Sequence, residues 1–477
     1  MSPFTRLCTY AAAVVMPPVI ALAIGLRALS ERDHPSLLPR IDERIAATAP
    51  RPSIDHAKPT VVVLLGADLT EITDALGPYE MFARAGKYNV VTAAPTRQPT
   101  LLTGGIRILP HYSLQEIDKT LGHVPAVVVI PNIPNADAPM NRPLIEWIRR
   151  QAAGGALIHS WCKGAMALAE AGLLDGETAT AHWGDLPALE RRYPEVKWVR
   201  GVRWVDRGQY VMSAGITSGI DASLRVLIRI AGDSVARRVA REIRYPNYHF
   251  AIDPKVEQYS RNPADLVLLA NAAFRINRPR LGVAMYHGVG EIDLSNVYDA
   301  HVHTMTVRVE TLAERGAPIV TAHGLTLYPS ISVARTGNGG LRRPRRLDRV
   351  LVPGAEARVR ATSLAASVAA AVPELPLEYI HADHPDRFGL EPVIEDLART
   401  ADAPTARFAL KRMEFRSTDV RITGSSLPWV PLGTAMGLAL SGLVLALGVV
   451  RSLRRKSESD RKSARAALTR ETRPVLR

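Results

Sequence analysis

Leu157-Ile158-His159-Ser160-Trp161-Cys162-Lys163-Gly164-Ala165-Met166-Ala167-Leu168 decides how the rest of the chain is read. An apolar strand, Ala156–Ile158, runs into a cysteine, and a run of small residues that suits a helix follows at once. Such a bend is a nucleophile elbow: the sharp turn exposes the side chain, and small neighbours let the backbones approach. A helix N-terminus at that point supplies free N–H groups and partial positive charge, which favour a thiolate or an oxyanion. A small, apolar, buried cysteine produces the same local pattern. The stretch alone leaves both readings open.

Working outward, short continuous apolar runs recur at Val61–Leu65 and Ala126–Ile130, the form of strands buried on both faces of a parallel sheet. Helical periods over 74–85, 139–153, 163–172 and 218–230 separate them. This alternation predicts an α/β sandwich with a parallel sheet over 60–250. A second, fainter copy follows. Asp74 and Tyr79-Glu80 have counterparts in Asp293 and Tyr298-Asp299, and Gly105–Pro110 is echoed by Gly324–Pro329, all at an offset of 219 residues. Val127–Pro131 matches Arg349–Pro353 at 222. The expectation is a duplicated fold, with 280–425 as a diverged copy that has no counterpart of Cys162, and 251–279 as a connecting segment.

The composition, 47% hydrophobic and 22% charged, excludes a wholly disordered chain. A net charge of +14 first suggests nucleic acid as a partner, but residues 451–477 alone carry +7 of it. With the excess in a tail, nucleic acid is not expected. Two charge-free stretches, 7–26 and 427–450, are long enough to span a bilayer. The first reads as an anchor or as a cleaved signal peptide. The second ends at Arg451, Arg454, Arg455 and Lys456, and basic flanks stay cytoplasmic. The expected topology therefore puts 27–426 on the outer face of a plasma or inner membrane, with 27–59 as a linker and 451–477 as a cytoplasmic tail. The loop 334–346, with Arg342, Arg343, Arg345 and Arg346, suits either an anionic lipid surface or plain solvent. Cys8 lies in the first apolar run and Cys162 in the soluble part, so no disulfide is expected.

Ser160-x-Cys162-x-Gly164, Leu168–Gly176, Ala179–Trp183, Ser213–Asp221 and Val235–Ala240, with Asp74 and Gly77–Glu80, together resemble the ThiJ/PfpI superfamily. The resemblance is strong over 60–250 and weak over 280–355, and is nearest to the amidase-like domain of AraC-type regulators and to isocyanide hydratase. It implies a flavodoxin-like fold in which Cys162 is the reactive cysteine. Asp74 is then the acid beside it, kept protonated so that it can donate. Asn132, Ile133, Lys163, His182 and Thr217 take the substrate and oxyanion side, although His182 also suits a packed core histidine. Members of this family often dimerise, so the second copy can serve as an intramolecular partner, or two chains can pair.

Two departures bear on chemistry. Pro131-Asn132-Ile133 stands where the family's enzymes have Pro-Gly-Gly, and a β-branched residue resists positive φ. Lys163 follows the cysteine where Thr or His is usual, so the histidine partner of the peptidases is missing and peptidase activity is not expected. Lys163 itself can lower the thiol pKa, cover the pocket or face solvent. The expected function is a membrane-tethered module whose Cys162 binds a small electrophile, oxidant or nitrogenous metabolite. The alternatives are a cofactor-free hydratase or hydrolase of a small carbonyl, amide or isocyanide, and a regulator-related ligand-binding module. No cofactor and no metal are implied, and His301 and His303 are read as alternating residues on an exposed face.

Overall fold

Val61, Val62 and Val63 are β-branched and apolar towards both sides, and they form the centre of a sheet covered on both faces. The computed structural model describes residues 3–33, 51–314, 318–333 and 346–471. Strand Thr60–Leu64 is fully buried. Val61 and Val63 join the core that holds Leu76, Phe82 and Ile220, while Val62 and Leu64 join the one that holds Leu144, Trp147 and Leu168. Full burial of one such side chain is worth about 1.5–3 kcal/mol.

In spatial order the seven strands are Trp204–Asp206, Tyr210–Ser213, Leu157–Ser160, Val127–Ile130, Thr60–Leu64, Asn89–Ala94 and Tyr112–Ser113. Only Trp204–Asp206 runs antiparallel to its neighbour. Leaving aside the two-residue edge strand Tyr112–Ser113, the first strand in sequence is flanked by the second and the third, which is the flavodoxin-like order. Its crevice lies where the strand order reverses, outside the carboxyl ends of the strands. Elements match the expectation closely, for example Ile72–Ala85 and Ser218–Ala231. The exception is the helix after the cysteine, which is a 3-10 turn at Cys162–Gly164 followed by only Ala165–Glu170.

A second parallel sheet orders Ile331–Ser332, Arg308–Ala313, Arg280–Ala284, Arg349–Leu351 and Leu377–Glu378. This repeats the order of five strands of the first sheet. A third sheet is built from both halves. Within it Thr326–Tyr328 pairs antiparallel with Arg107–Leu109, and Leu327 lies opposite Ile108. Those two residues are the ones the 219-residue offset equates, so equivalent positions meet face to face, as at an isologous interface. Helix Ile72–Ala85 packs beside Glu291–Val302. There Tyr79 donates its hydroxyl proton to the His323 carbonyl at 2.8 Å, and Tyr298 fills the space over Gly104.

The described residues divide into two units: Met1–Leu29 with Leu269–Ile276 and Trp429–Arg477, and Ser30–Leu268 with Asn277–Pro428. The three sheets described above lie in the second. In the first, the stretches Phe4–Leu29 and Trp429–Ala464 are long and apolar enough to cross a membrane. They touch where Gly442 lies against the Ala13 carbonyl, a close approach that only a residue without a Cβ allows. The C-terminal helix runs unbroken from Trp429 to Glu471, so the basic segment after Arg451 is helical over its described part. The arginine loop 334–346 lies outside the described residues except for Arg346.

Candidate active site

Cys162 occupies the bend with φ 54°, a left-handed conformation that a residue with a Cβ adopts at a cost of roughly 1–3 kcal/mol. Its neighbours explain why the local sequence is small. A Cβ on Gly164 would sit 2.2 Å from the Ile130 carbonyl, and one on Gly219 would sit 2.1 Å from the Trp161 ring. Trp161 is fully buried and donates its indole N–H to His159 Nε2 at 2.8 Å. The Cys162 amide donates to Ser213 Oγ at 3.2 Å, which ties the elbow to the start of the Ser213–Asp221 stretch.

Asp74 is wholly buried in helix Ile72–Ala85 rather than capping a surface helix. Its Oδ2 accepts the Asn132 amide at 3.0 Å, and its Oδ1 is buried with no hydrogen-bond partner. Burial, and then the Glu71 charge, push its carboxyl well above the usual range. The Cys162 thiol is also pushed well up, first by burial and then by the Asp74 charge. This reverses the expected stabilisation of a thiolate. The helix that follows is six residues long and offers little dipole, and the sulfur is nearly sealed from water at 3% exposure.

The expected oxyanion side is not assembled. The Asn132 N–H is spent on Asp74, and among the positive-φ residues neither Asn132 nor Ile133 appears. Ile133 instead packs into the core on the other face of the sheet. Lys163 is half-buried, and its charge acts on Asp185 and Asp137. His182 is fully buried; its Nε2 lies 3.0 Å from the Arg412 carbonyl and its Nδ1 3.3 Å from Asp185. Thr217 donates its amide to the Met413 carbonyl and its hydroxyl to the Glu414 carbonyl, both at 2.9 Å.

Those last partners expose what the sequence reading missed. Residues 411–416, at the end of helix Ala403–Arg412 in the second half, lie over the first half's site. Glu414, with φ 53°, accepts the Gly215 amide at 2.9 Å and the Ser218 hydroxyl at 2.6 Å. It packs directly on Gly215, where a Cβ would clash with it. The Arg412 charge reaches both Cys162 and Asp74. Beneath, the fully buried Arg203 pairs with Asp221 and donates to the Glu414 carbonyl at 2.9 Å. The sequence carried no signal for this segment, which lies about 250 residues from the cysteine.

A buried acidic cluster also extends from Asp74 across the paired helices. His303 Nε2 lies 3.4 Å from Glu71 and 3.7 Å from Asp299, so His303, like His301, is buried and not on an exposed face. Burial raises the Glu71 carboxyl, but the charge and hydrogen bond of His303 outweigh it and bring it to about 2. Asp299 is pushed well up by burial and then by Glu71. Glu71, Asp299 and His303 lie close enough to share a metal ion, as do Glu80, Glu291 and His323. In the second group each carboxylate oxygen already accepts a hydrogen bond, from Arg84, Ile292, Thr321 or His323.

The likeness to known proteins falls on the first half. A profile of the DJ-1/PfpI family matches residues 59–228. The chain is 33% identical over 99 residues to the HTH-type transcriptional regulator CdhR of Pseudomonas aeruginosa, covering 21% of this chain and 29% of that protein. To the isonitrile hydratase of Pseudomonas putida it is 27% identical over 176 residues, covering 36% and 72% respectively. Among solved structures, a ThiJ/PfpI family protein from Pseudomonas syringae is 21% identical, covers 45% of this chain and 84% of its own, and superposes with a TM-score of 0.36.

Proposed function

We propose, from the match of residues 59–228 to the DJ-1/PfpI family, that the chain is a membrane-anchored sensing module built from a fused pair of such domains. In this reading Cys162, backed by the protonated Asp74, receives a small electrophile, oxidant or nitrogenous metabolite. The second half acts as intramolecular partner and supplies residues 411–416 as a cover. The observation that carries it is Glu414, a carboxylate from one half held by Gly215 and Ser218 of the other beside the elbow. A covered, protonated thiol with the Asn132 donor spent is poorly set up for steady turnover, whereas withdrawal of the cover would solvate the sulfur and lower its pKa. Ligand arrival and cover release are then one equilibrium. The two apolar helices hold the module at a membrane, with the sheets outside and the basic end in the cytoplasm.

A second reading, a hydratase or hydrolase with Cys162 as nucleophile and Asp74 as acid, is favoured by the positive-φ elbow and by the likeness to isonitrile hydratase. The full chain in detergent micelles, incubated with small isocyanides, amides and dicarbonyls, separates the two. Stoichiometric labelling of Cys162 without turnover is expected. Multiple turnover that vanishes in Cys162→Ala would replace the sensing reading with the enzymatic one, and absence of both labelling and turnover would remove both.

A further inference from the structure

Glu71 is the N-cap of helix Ile72–Ala85 in the first half, while Asp299 and His303 belong to helix Glu291–Val302 and its C-cap in the second. Residues four apart share one helix face, so Asp299 and His303 meet Glu71 together across the seam. His303 Nε2 lies 3.4 Å from Glu71 Oε1 and 3.7 Å from Asp299 Oδ1, and all three residues are 4% exposed or less. Zinc bonds of about 2.0–2.2 Å in a tetrahedron set neighbouring donor atoms about 3.3–3.6 Å apart. Both separations fit that edge within about 0.2 Å, the tolerance of a metal site.

The twin cluster shows what differs at this one. The offset of 219 residues that equates Glu80 with Asp299 also equates Arg84 with His303. Arg84 is a permanent cation 2.6 Å from Glu80, and every carboxylate oxygen of Glu80 and Glu291 accepts a hydrogen bond. At His303 that fixed cation is replaced by a side chain able to ligate a metal. No hydrogen bond of acceptable geometry reaches either oxygen of the fully buried Asp299. The buried Thr73 hydroxyl and Asp74 Oδ1, which both act on Asp299, are unpartnered as well. Three buried carboxyls thus converge on one imidazole, and burying such groups without a compensating charge is costly.

We propose that Glu71, Asp299 and His303 bind one zinc ion, which clamps the two halves together. An imidazole in the set favours zinc over magnesium or calcium, which prefer oxygen alone. The ion supplies the positive charge that Arg84 supplies in the twin. Thr73 Oγ1 and Asp74 Oδ1 are the neighbouring candidates for a fourth ligand. Sealed among its donors, the ion enters as the halves close during folding, so comparisons of stability among carboxylate variants refer to the metal-free chain. The site does not depend on the cysteine chemistry proposed above.

The full chain, made in zinc-supplemented cells and purified in detergent micelles without a histidine tag, tests it by metal analysis. One zinc per chain is expected in the parent and in His323→Gln, which alters only the twin cluster. His303→Gln and Asp299→Asn should retain at least tenfold less. Stripping the parent with a chelator should lower its melting temperature by about 3 °C, and should leave that of Asp299→Asn unchanged. Asp299→Asn removes a buried charge at constant shape and carries the comparison if His303→Gln does not fold. A parent without stoichiometric zinc, zinc retained in the folded cluster variants, or zinc lost in His323→Gln instead of in them overturns the site. Magnesium or calcium found in place of zinc overturns the choice of ion.

Discussion

Replacing Glu414 by alanine should unlatch the cover over Cys162. In the intact chain one carboxylate oxygen accepts two donors, the Gly215 amide at 2.9 Å and the Ser218 hydroxyl at 2.6 Å. A hydrogen bond to a charged group contributes about 1.5–3 kcal/mol, so the pair is worth about 4 kcal/mol before water refills the gap. Allowing for that refilling, a net shift of about 2–3 kcal/mol remains. At about 1.4 kcal/mol per tenfold, the open fraction rises about 30- to 150-fold. Alanine keeps the strained backbone at 414, so relief of strain does not enter. Iodoacetamide labelling of Cys162, in a Cys8→Ser background and followed by peptide mass spectrometry, reads the open fraction when opening is faster than alkylation. The alanine variant should label faster by that factor, with Glu414→Gln in between. Rates within twofold of one another would mean that Glu414 does not hold the site shut, and the cover argument would be lost.

Asp299→Asn should stabilise the protein at neutral pH. The Asp299 carboxyl is pushed up from 3.8 in the fold, so above about pH 4 the folded state holds a proton that the unfolded state has lost, and stability falls as pH rises. Asparagine has no proton to lose, so its melting temperature minus that of the parent should grow from pH 4 upward. Gly164→Ala should cost about 3 kcal/mol in denaturant unfolding, because its Cβ meets a backbone carbonyl that cannot move aside. Arg203→Ala should cost about 3–5 kcal/mol by the same measurement, because it leaves buried Asp221 unpaired. Reporter fusions at residue 300 and after the last residue should place the sheets outside and the tail in the cytoplasm; a cytoplasmic signal at 300 would reverse the topology.

The fold of the first half was legible because a doubly covered parallel sheet writes itself as short valine-rich runs such as Val61–Leu65 and Ala126–Ile130. The elbow was legible for a similar reason: Gly164 and Gly219 sit where a Cβ is forbidden, and small residues at such spots leave a mark in the sequence. The protonation of the site was not. A lysine beside a cysteine suggests a thiolate, but depth of burial decides the matter, and no local pattern reports depth. His301 and His303 misled in the same way, since alternation reads as a strand face while the residues lie at the buried end of a helix. Glu414 was invisible because its partners, Gly215 and Ser218, come from a distant part of the chain.

The face-to-face meeting of Ile108 with Leu327 has an evolutionary corollary. When two identical chains associate, every substitution at the seam is suffered twice, and both clefts must change together. In the proposed fused pair each side mutates alone. One cleft then keeps its sulfur under a latch while the other does without, a division of labour denied to a symmetric dimer.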